Sequence, residues 1–342
     1  MTEAIAIYYE NIIIYWRTII IVLGVIAGFF ISLSLYKGKK NQGYTICIYY
    51  PLAILASLFM ARLVHWYCNI EQYGGIGDAL SDFSKGDFLL PGVLIAAYLV
   101  ALLVAPFSTG KSRYGILDAV VPGLCFILAM IKFSDVFTDV CRGKMIVNNV
   151  LFQKLPFAIA VQDHTGTVVY RFATFFVTFL LLCVVTVGLI VFYVMDAKTK
   201  RRFPMEEEGH TFRMFLLFYG AVEIVMDSTR YDAAHLYFPG EALANLNKGA
   251  SFMGLSQMMG AIFVIYVVVY YMKLLAYVNH SFKSCILPLI LSLMGLILGG
   301  VSEYLVQRYS GMYLIWYSTQ SLGVLLMVGC AWYLYRQCLR VY

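Results

Sequence analysis

Apolar runs of about twenty residues recur along the whole chain, and they leave few folds open to it. They lie at about Ile12–Tyr36, Tyr44–Cys68, Phe88–Pro106, Leu117–Ile131, Val168–Met195, Thr211–Asp227, Ser251–Val278, Ser284–Leu305 and Met312–Tyr335. Coiled as helices, such runs match the hydrocarbon thickness of a bilayer, and a helix satisfies its backbone N–H and C=O groups internally where no water can do so. The chain is therefore read as an all-α polytopic membrane protein with about nine transmembrane helices. Its 61% hydrophobic and 13% charged residues place it far from soluble domains.

A formal charge of +6 does not indicate nucleic acid, because the basic residues fall in short clusters between the apolar runs. Lys37, Lys39 and Lys40 follow the first run, Lys111 and Arg113 the third, and Lys198, Lys200, Arg201 and Arg202 the fifth. The bias of basic loops toward the cytoplasm puts these clusters inside, the amino terminus outside and the carboxyl terminus inside. Eight cysteines are scattered without a CxxC pair or a Cys/His cluster at ligand spacing, so neither a metal nor a cofactor is expected. The apolar piece at Leu151–Gln162 is too short to span and reads as interfacial.

Against this background the stretch Met130–Lys144 stands out, since a membrane run ends abruptly in Lys132, Asp135 and Asp139. On a continuous helix these residues sit at i, i+3 and i+7 and share a face. The end of the sixth run repeats the pattern with Glu223, Asp227 and Arg230, and Arg62, His65 and Arg171 approach the same outer level. Ionisable groups facing lipid cost several kcal/mol, about 3 each at a helix centre, so a protein-lined cavity is their natural home. Two readings stay open. The groups form buried ion pairs that fix helix register, or they line an anion- or headgroup-binding pocket. Mixed signs argue against a metal site, which would gather carboxylates and histidines without cations.

The order of short elements resembles the prolipoprotein diacylglyceryl transferase family. The similar elements begin with Ala61-Arg62-Leu63, Pro91-Gly92 and the LDAVVPG segment at Leu117–Gly123. There follow the ionisable stretch ending in Gly143-Lys144, Leu155-Pro156-Phe157 with His164 and Tyr170, Tyr219-Gly220 before the second charged helix end, and Gln257. The resemblance covers about residues 12–275 and implies a seven-helix core, here residues 1–280; the last two runs, read as a two-helix transmembrane hairpin at 281–342, have no counterpart in the family's plan. It further implies a bacterial cytoplasmic-membrane enzyme that moves a diacylglyceryl group from phosphatidylglycerol to a lipoprotein cysteine.

Under that resemblance Lys132, Asp135, Asp227 and His65 are the candidate catalytic residues. Arg62, Lys132, Arg230 and Gln257 are the candidate headgroup-binding residues, and Arg171, Glu223 and Asp139 the candidate structural ion pairs. The chain also departs from the family pattern. Lys132 stands where an arginine is usual, Leu90 where a histidine precedes Pro91-Gly92, Glu223 where a first arginine is usual, and Arg171 where a glutamate is usual. The reversed charges at Glu223 and Arg171 suggest a swapped pair. The alternative function is a non-catalytic relative that binds a lipid or peptide within a membrane complex, with the last two helices as its docking surface.

Overall fold

A computed structural model describes residues 5–9, 12–36, 43–70, 73, 75–81, 88–107, 114–138, 141–162, 166–199, 208–235, 253–279, 282–309 and 312–340. The long helices are α1 (Trp16–Leu35), α2 (Gly43–Cys68), α4 (Leu90–Val104), α5 (Gly115–Ser134), α7 (Thr174–Thr199), α8 (His210–Thr229), α9 (Leu255–Val278), α10 (Ile286–Arg308) and α11 (Tyr313–Arg340). Two short helices, α3 (Ile76–Ser81) and α6 (Val150–Gln153), lie in connections. The strands β1 (Ile5–Tyr9) and β2 (Ile12–Tyr15) form one antiparallel hairpin, and β3 (Ala158–Gln162) and β4 (Val168–Phe172) another. The fold is thus an all-α polytopic membrane protein with two small hairpins at helix entrances.

Eight of these helices are long and apolar enough to cross a membrane. α8 is the exception, since it carries Arg213, Glu223 and Asp227. It is also the centre of the bundle, with fifteen of its twenty residues buried. Helices α5, α7, α9 and α11 pack around it, α1 lies on α5, and α2 on α4. Such a helix is shielded from lipid by its neighbours, which is how a polar sequence reaches membrane depth. Its crossing with α9 is backbone to backbone. A Cβ on Gly220 would lie 2.6 Å from the Gly260 carbonyl oxygen, and a Cβ on Gly260 equally close to that of Gly220. Outward-facing residues such as Leu55, Leu103, Val184 and Leu325 are exposed and apolar, as a lipid-facing surface requires.

Two expected helix starts are corrected. The first helix begins at Trp16 rather than Ile12, because the β-branched run Ile12–Ile14 pairs with Ile7–Tyr9. The fifth membrane helix begins at Thr174 rather than Val168, because Val168–Phe172 pairs residue for residue with Ala158–Gln162. The segment expected to be interfacial is therefore the short helix α6 plus the strand β3, with Val150, Leu151 and Phe152 exposed.

Candidate functional site

α5 stops at Ser134, and a single 3-10 turn, Asp135–Phe137, follows it. The helical face expected for Lys132, Asp135 and Asp139 therefore ends after its second member, and Asp139 lies outside the described residues. The chain returns as an extended clip. Gly143 N–H donates to the Phe172 carbonyl at 2.8 Å, Lys144 N–H to that of Thr229 at 2.8 Å, and Tyr231 N–H to that of Arg142 at 2.8 Å. These bonds tie the residues after α5 to β4 on one side and to the end of α8 on the other. α8 itself ends at Thr229, and Arg230 has extended backbone, φ −75° and ψ 140°. Glu223, Asp227 and Arg230 thus do not share one helical face; Arg230 turns away from the helix axis because its backbone bridges to Gly143.

That turn assembles the site. Arg230 Nη1 donates to Asp227 Oδ1 at 3.2 Å, its Nε to Asp232 Oδ1 at 3.3 Å, and its Nη2 to the Asp232 carbonyl at 3.4 Å. Asp232 Oδ2 accepts from the Cys141 N–H at 2.9 Å. Lys132 Nζ lies 3.9 Å from Glu223 Oε1, both side chains almost wholly buried, and Asp135 Oδ1 lies 3.7 Å from an Arg17 Nη2. Asp227 Oδ2 accepts from the backbone N–H of Gln257 at 3.2 Å. Asp227 thereby caps the start of α9 from a different helix, which the N-cap residue Gly254 cannot do for lack of a side chain. A Cβ on Gly254 would collide with Asp227 Oδ2, so glycine is what admits the carboxylate.

A cavity of about 410 Å³ opens beside this network, and its polar walls are Arg17, His65, Asn69, Lys132, Asp135, Arg230, Asp232 and Ser256. A second cavity of about 390 Å³ shares Arg17, Phe88, Leu90 and Ile131 with it and runs between α1, α2, α4 and α5 over residues such as Val25, Tyr49, Leu58 and Val93. A third of about 400 Å³, lined by α4, α5, α8 and α9, shares Tyr49, Ala97, Val120 and Leu124 with the second. The arrangement is amphipathic, with three cations in the polar chamber and aliphatic and aromatic walls leading from it into the bundle. It suits a ligand with an anionic head and hydrocarbon tails.

Of the residues expected from sequence, Lys132, Asp135, His65 and Arg230 line the polar chamber together. Asp227, Glu223 and Gln257 are not among its lining residues, and they contact its walls through Arg230, Lys132 and Asp227 respectively. Arg62 is buried with its guanidinium 5.6 Å from the centre of the Tyr73 ring, and Tyr73 also packs edge-on against His65. The expected pairing of Glu223 with Arg171 is overturned. Glu223 faces Lys132, whereas Arg171 is on β4 with its guanidinium 5.3 Å from the centre of the Tyr231 ring. The hairpin holds Arg171 in register against Ile159, so it follows β4 and not α8.

Arg17, Cys141 and Asp232 are wall residues that sequence reasoning missed. Arg17 carried a usable signal, as a lone cation one residue inside the first membrane helix. Asp232 and Cys141 carried none, since only the clip brings them to Arg230. Burial raises the Asp232 carboxyl, but the Arg230 guanidinium and the Cys141 N–H more than offset this and hold it below the usual carboxylate range. Burial pushes the Cys141 thiol up, against the pull of Arg230. Burial likewise holds the Lys144 ammonium below the ordinary lysine range, although Glu303 and Asp227 favour its charge.

Cys141 has φ 59°, a left-handed backbone that a side chain resists. Cys141→Gly is expected to leave stability unchanged or to raise it by up to about 1 kcal/mol. Cys141→Val is expected to lower stability by about 1–2 kcal/mol, because a β-branched residue fits that conformation worst. Thermal unfolding in detergent checks both.

The prolipoprotein diacylglyceryl transferase family model matches residues 4–277. A phosphatidylglycerol–prolipoprotein diacylglyceryl transferase from Shouchella clausii (strain KSM-K16) is 23% identical over 224 residues, which are 65% of this chain and 76% of that protein.

Proposed function

This chain belongs to the prolipoprotein diacylglyceryl transferase family, and from that membership we propose that it transfers a diacylglyceryl group from phosphatidylglycerol to the cysteine thiol of a lipoprotein precursor in the bacterial cytoplasmic membrane. The observation that carries the proposal is the polar chamber holding Arg17, Lys132 and Arg230, joined through shared walls to an apolar cavity. In this reading the chamber opens at the outer leaflet, with the amino terminus outside and the carboxyl terminus inside. The headgroup phosphate lies against Lys132, Arg17 and Arg230, and the acyl chains follow the apolar walls. The substrate sulfur attacks the glyceryl CH₂ bonded to phosphate oxygen. A C–S bond forms, the C–O bond breaks, and glycerol phosphate leaves with the electron pair. The thiol proton passes to a carboxylate or to His65. Asp135 and His65 suit this role better than Asp227, because they line the chamber while Asp227 accepts from Arg230 and from the Gln257 N–H. The cations offset the charge that develops on the leaving phosphate.

One observation favours a second reading, that of a lipid- or peptide-binding relative without turnover. Lys132 already has an anionic partner in Glu223, and a cation so engaged grips a phosphate less strongly. Expression in a bacterium depleted of its own diacylglyceryl transferase separates the two. The transferase is expected to restore lipoprotein maturation, seen as the mobility shift of a precursor. Membrane expression at normal level without maturation would sink the transferase and leave the binding role.

A further inference from the structure

Helices α10 and α11 lie beyond the residues that the family model matches, yet buried hydrogen bonds join them to the site. Glu303 of α10 is 1% exposed. Its Oε2 accepts from Gln257 Nε2 at 2.8 Å and from Gln320 Nε2 of α11 at 2.9 Å, and its Oε1 accepts from Gln307 Nε2 at 2.9 Å. A carboxylate can only accept, so each amide must turn its nitrogen inward. Gln257 is thereby obliged to turn its oxygen outward, and that oxygen accepts from the N–H of Gly254 at 3.3 Å, fixing the first turn of α9. The backbone N–H of Gln257 holds Asp227, and Asp227 holds Arg230. The chain of contacts from Glu303 to the chamber wall is unbroken.

The same hairpin reaches the last turn of α8 directly. Tyr317 Oη donates to the Ser228 carbonyl at 3.4 Å, and Gln320 Nε2 lies 3.5 Å from that of Ile224. These are the carbonyls of the turn from which Asp227 and Arg230 project. If the hairpin served only to pack, an apolar residue at position 303 would do so at lower cost than a buried carboxylate, which must be desolvated. What a carboxylate adds is a fixed orientation for the amides around it.

We propose that Glu303 is a positioning residue of the site, and that the C-terminal hairpin completes the family core by orienting Gln257 and, through Asp227, the anion-gripping Arg230. The proposal takes from the transferase reading only the identity of the anion, a phosphatidylglycerol headgroup. Glu303 sets the geometry of a cation it does not touch.

The test uses the full-length protein in detergent, with amide hydrogen exchange and binding of dioctanoyl phosphatidylglycerol read on the same samples. Glu303→Ala is expected to speed exchange at the Gln257 and Arg230 amides and to weaken lipid binding, each by about tenfold, equal to about 1.4 kcal/mol. Glu303→Gln, whose Oε1 can still accept from Gln257, is expected to recover most of both. Gln307→Ala removes a partner of Glu303 that does not touch Gln257, and both readouts are expected to stay within about twofold, roughly 0.4 kcal/mol. Unchanged exchange at Gln257 and Arg230 in Glu303→Ala, equal effects of Gln307→Ala, or no recovery in Glu303→Gln would overturn the proposal. If the alanine variant does not accumulate, Glu303→Asp, shorter by one methylene, decides on the same amides: faster exchange supports the proposal and unchanged exchange overturns it. A wild-type protein that fails to bind the lipid sinks the transferase reading alone, and the exchange data still decide on Glu303.

Discussion

Arg230→Ala is expected to lower phosphatidylglycerol binding and lipoprotein maturation by at least about a hundredfold, or roughly 2.7 kcal/mol. Arg230 is a chamber wall and at the same time the hub of its charge network, contacting Asp227 at 3.2 Å and Asp232 at 3.3 Å. Removing it deletes a cation that the proposed function sets against the phosphate, and it leaves the buried Asp227 without its guanidinium. A loss that reflected unfolding alone would look the same in a maturation assay, so Arg230→Lys is the sharper variant. Lysine keeps the charge but offers a point where the guanidinium offers a fork, and it cannot span both carboxylates. That variant is expected to unfold near the wild-type temperature while binding about tenfold more weakly, some 1.4 kcal/mol. Binding by Arg230→Lys equal to wild type, at equal stability, would show that the two-pronged geometry is irrelevant.

Breaking the Lys132–Glu223 pair should cost stability more than any exposed substitution. The two groups lie 3.9 Å apart, both almost fully buried between α5 and α8, with the Tyr219 hydroxyl beside the Glu223 carboxylate. Their mutual compensation is chiefly coulombic. Lys132→Met is expected to destabilise the fold by about 3 kcal/mol, because it strands a carboxylate at the bundle centre. Glu223→Gln should cost less, because the Asp135 carboxylate still faces the ammonium. The double variant Lys132→Met/Glu223→Leu should return to within about 1 kcal/mol of wild type, since two apolar side chains of similar volume carry no desolvation cost. A double-mutant cycle on denaturation midpoints measures the coupling. Simple additivity would mean that the two charges do not interact. The Glu223/Arg171 cycle, by contrast, is expected to be additive, because Arg171 packs on Tyr231.

The charge at the ends of α5 and α8 was legible because membrane helices tolerate almost none of it. Lys132, Asp135 and Arg230 stood out from sequence and meet in one chamber. Their angular arrangement was not legible. Spacing of i, i+3 and i+7 implies a shared face only while the helix continues, and both helices stop short, at Ser134 and Thr229. They stop where the backbone N–H groups of Gly143, Lys144 and Tyr231 find partners on other segments. Nothing in the local sequence at Arg230 announces Gly143 as its bridge partner. The strands β2 and β4 were hidden for a related reason. Each leads directly into an apolar run, so hydropathy merged it with the membrane helix that follows.

The position of Glu303 illustrates the same limit from the other direction. An isolated acidic residue near the end of a membrane helix reads as a group facing water, yet it is 1% exposed and gathers three glutamine amides. Two of those glutamines lie 46 and 17 positions away in the chain. Sequence by itself determined the membrane class, the long helices and the family, because these follow from the length and order of apolar runs and from short motifs read in series. Only the tertiary structure decided which charges meet, that Glu223 answers Lys132 and not Arg171, and that the C-terminal hairpin reaches the site. Such pairings depend on where helices end and which backbone groups then need partners, and that is settled by contacts between segments far apart in the chain.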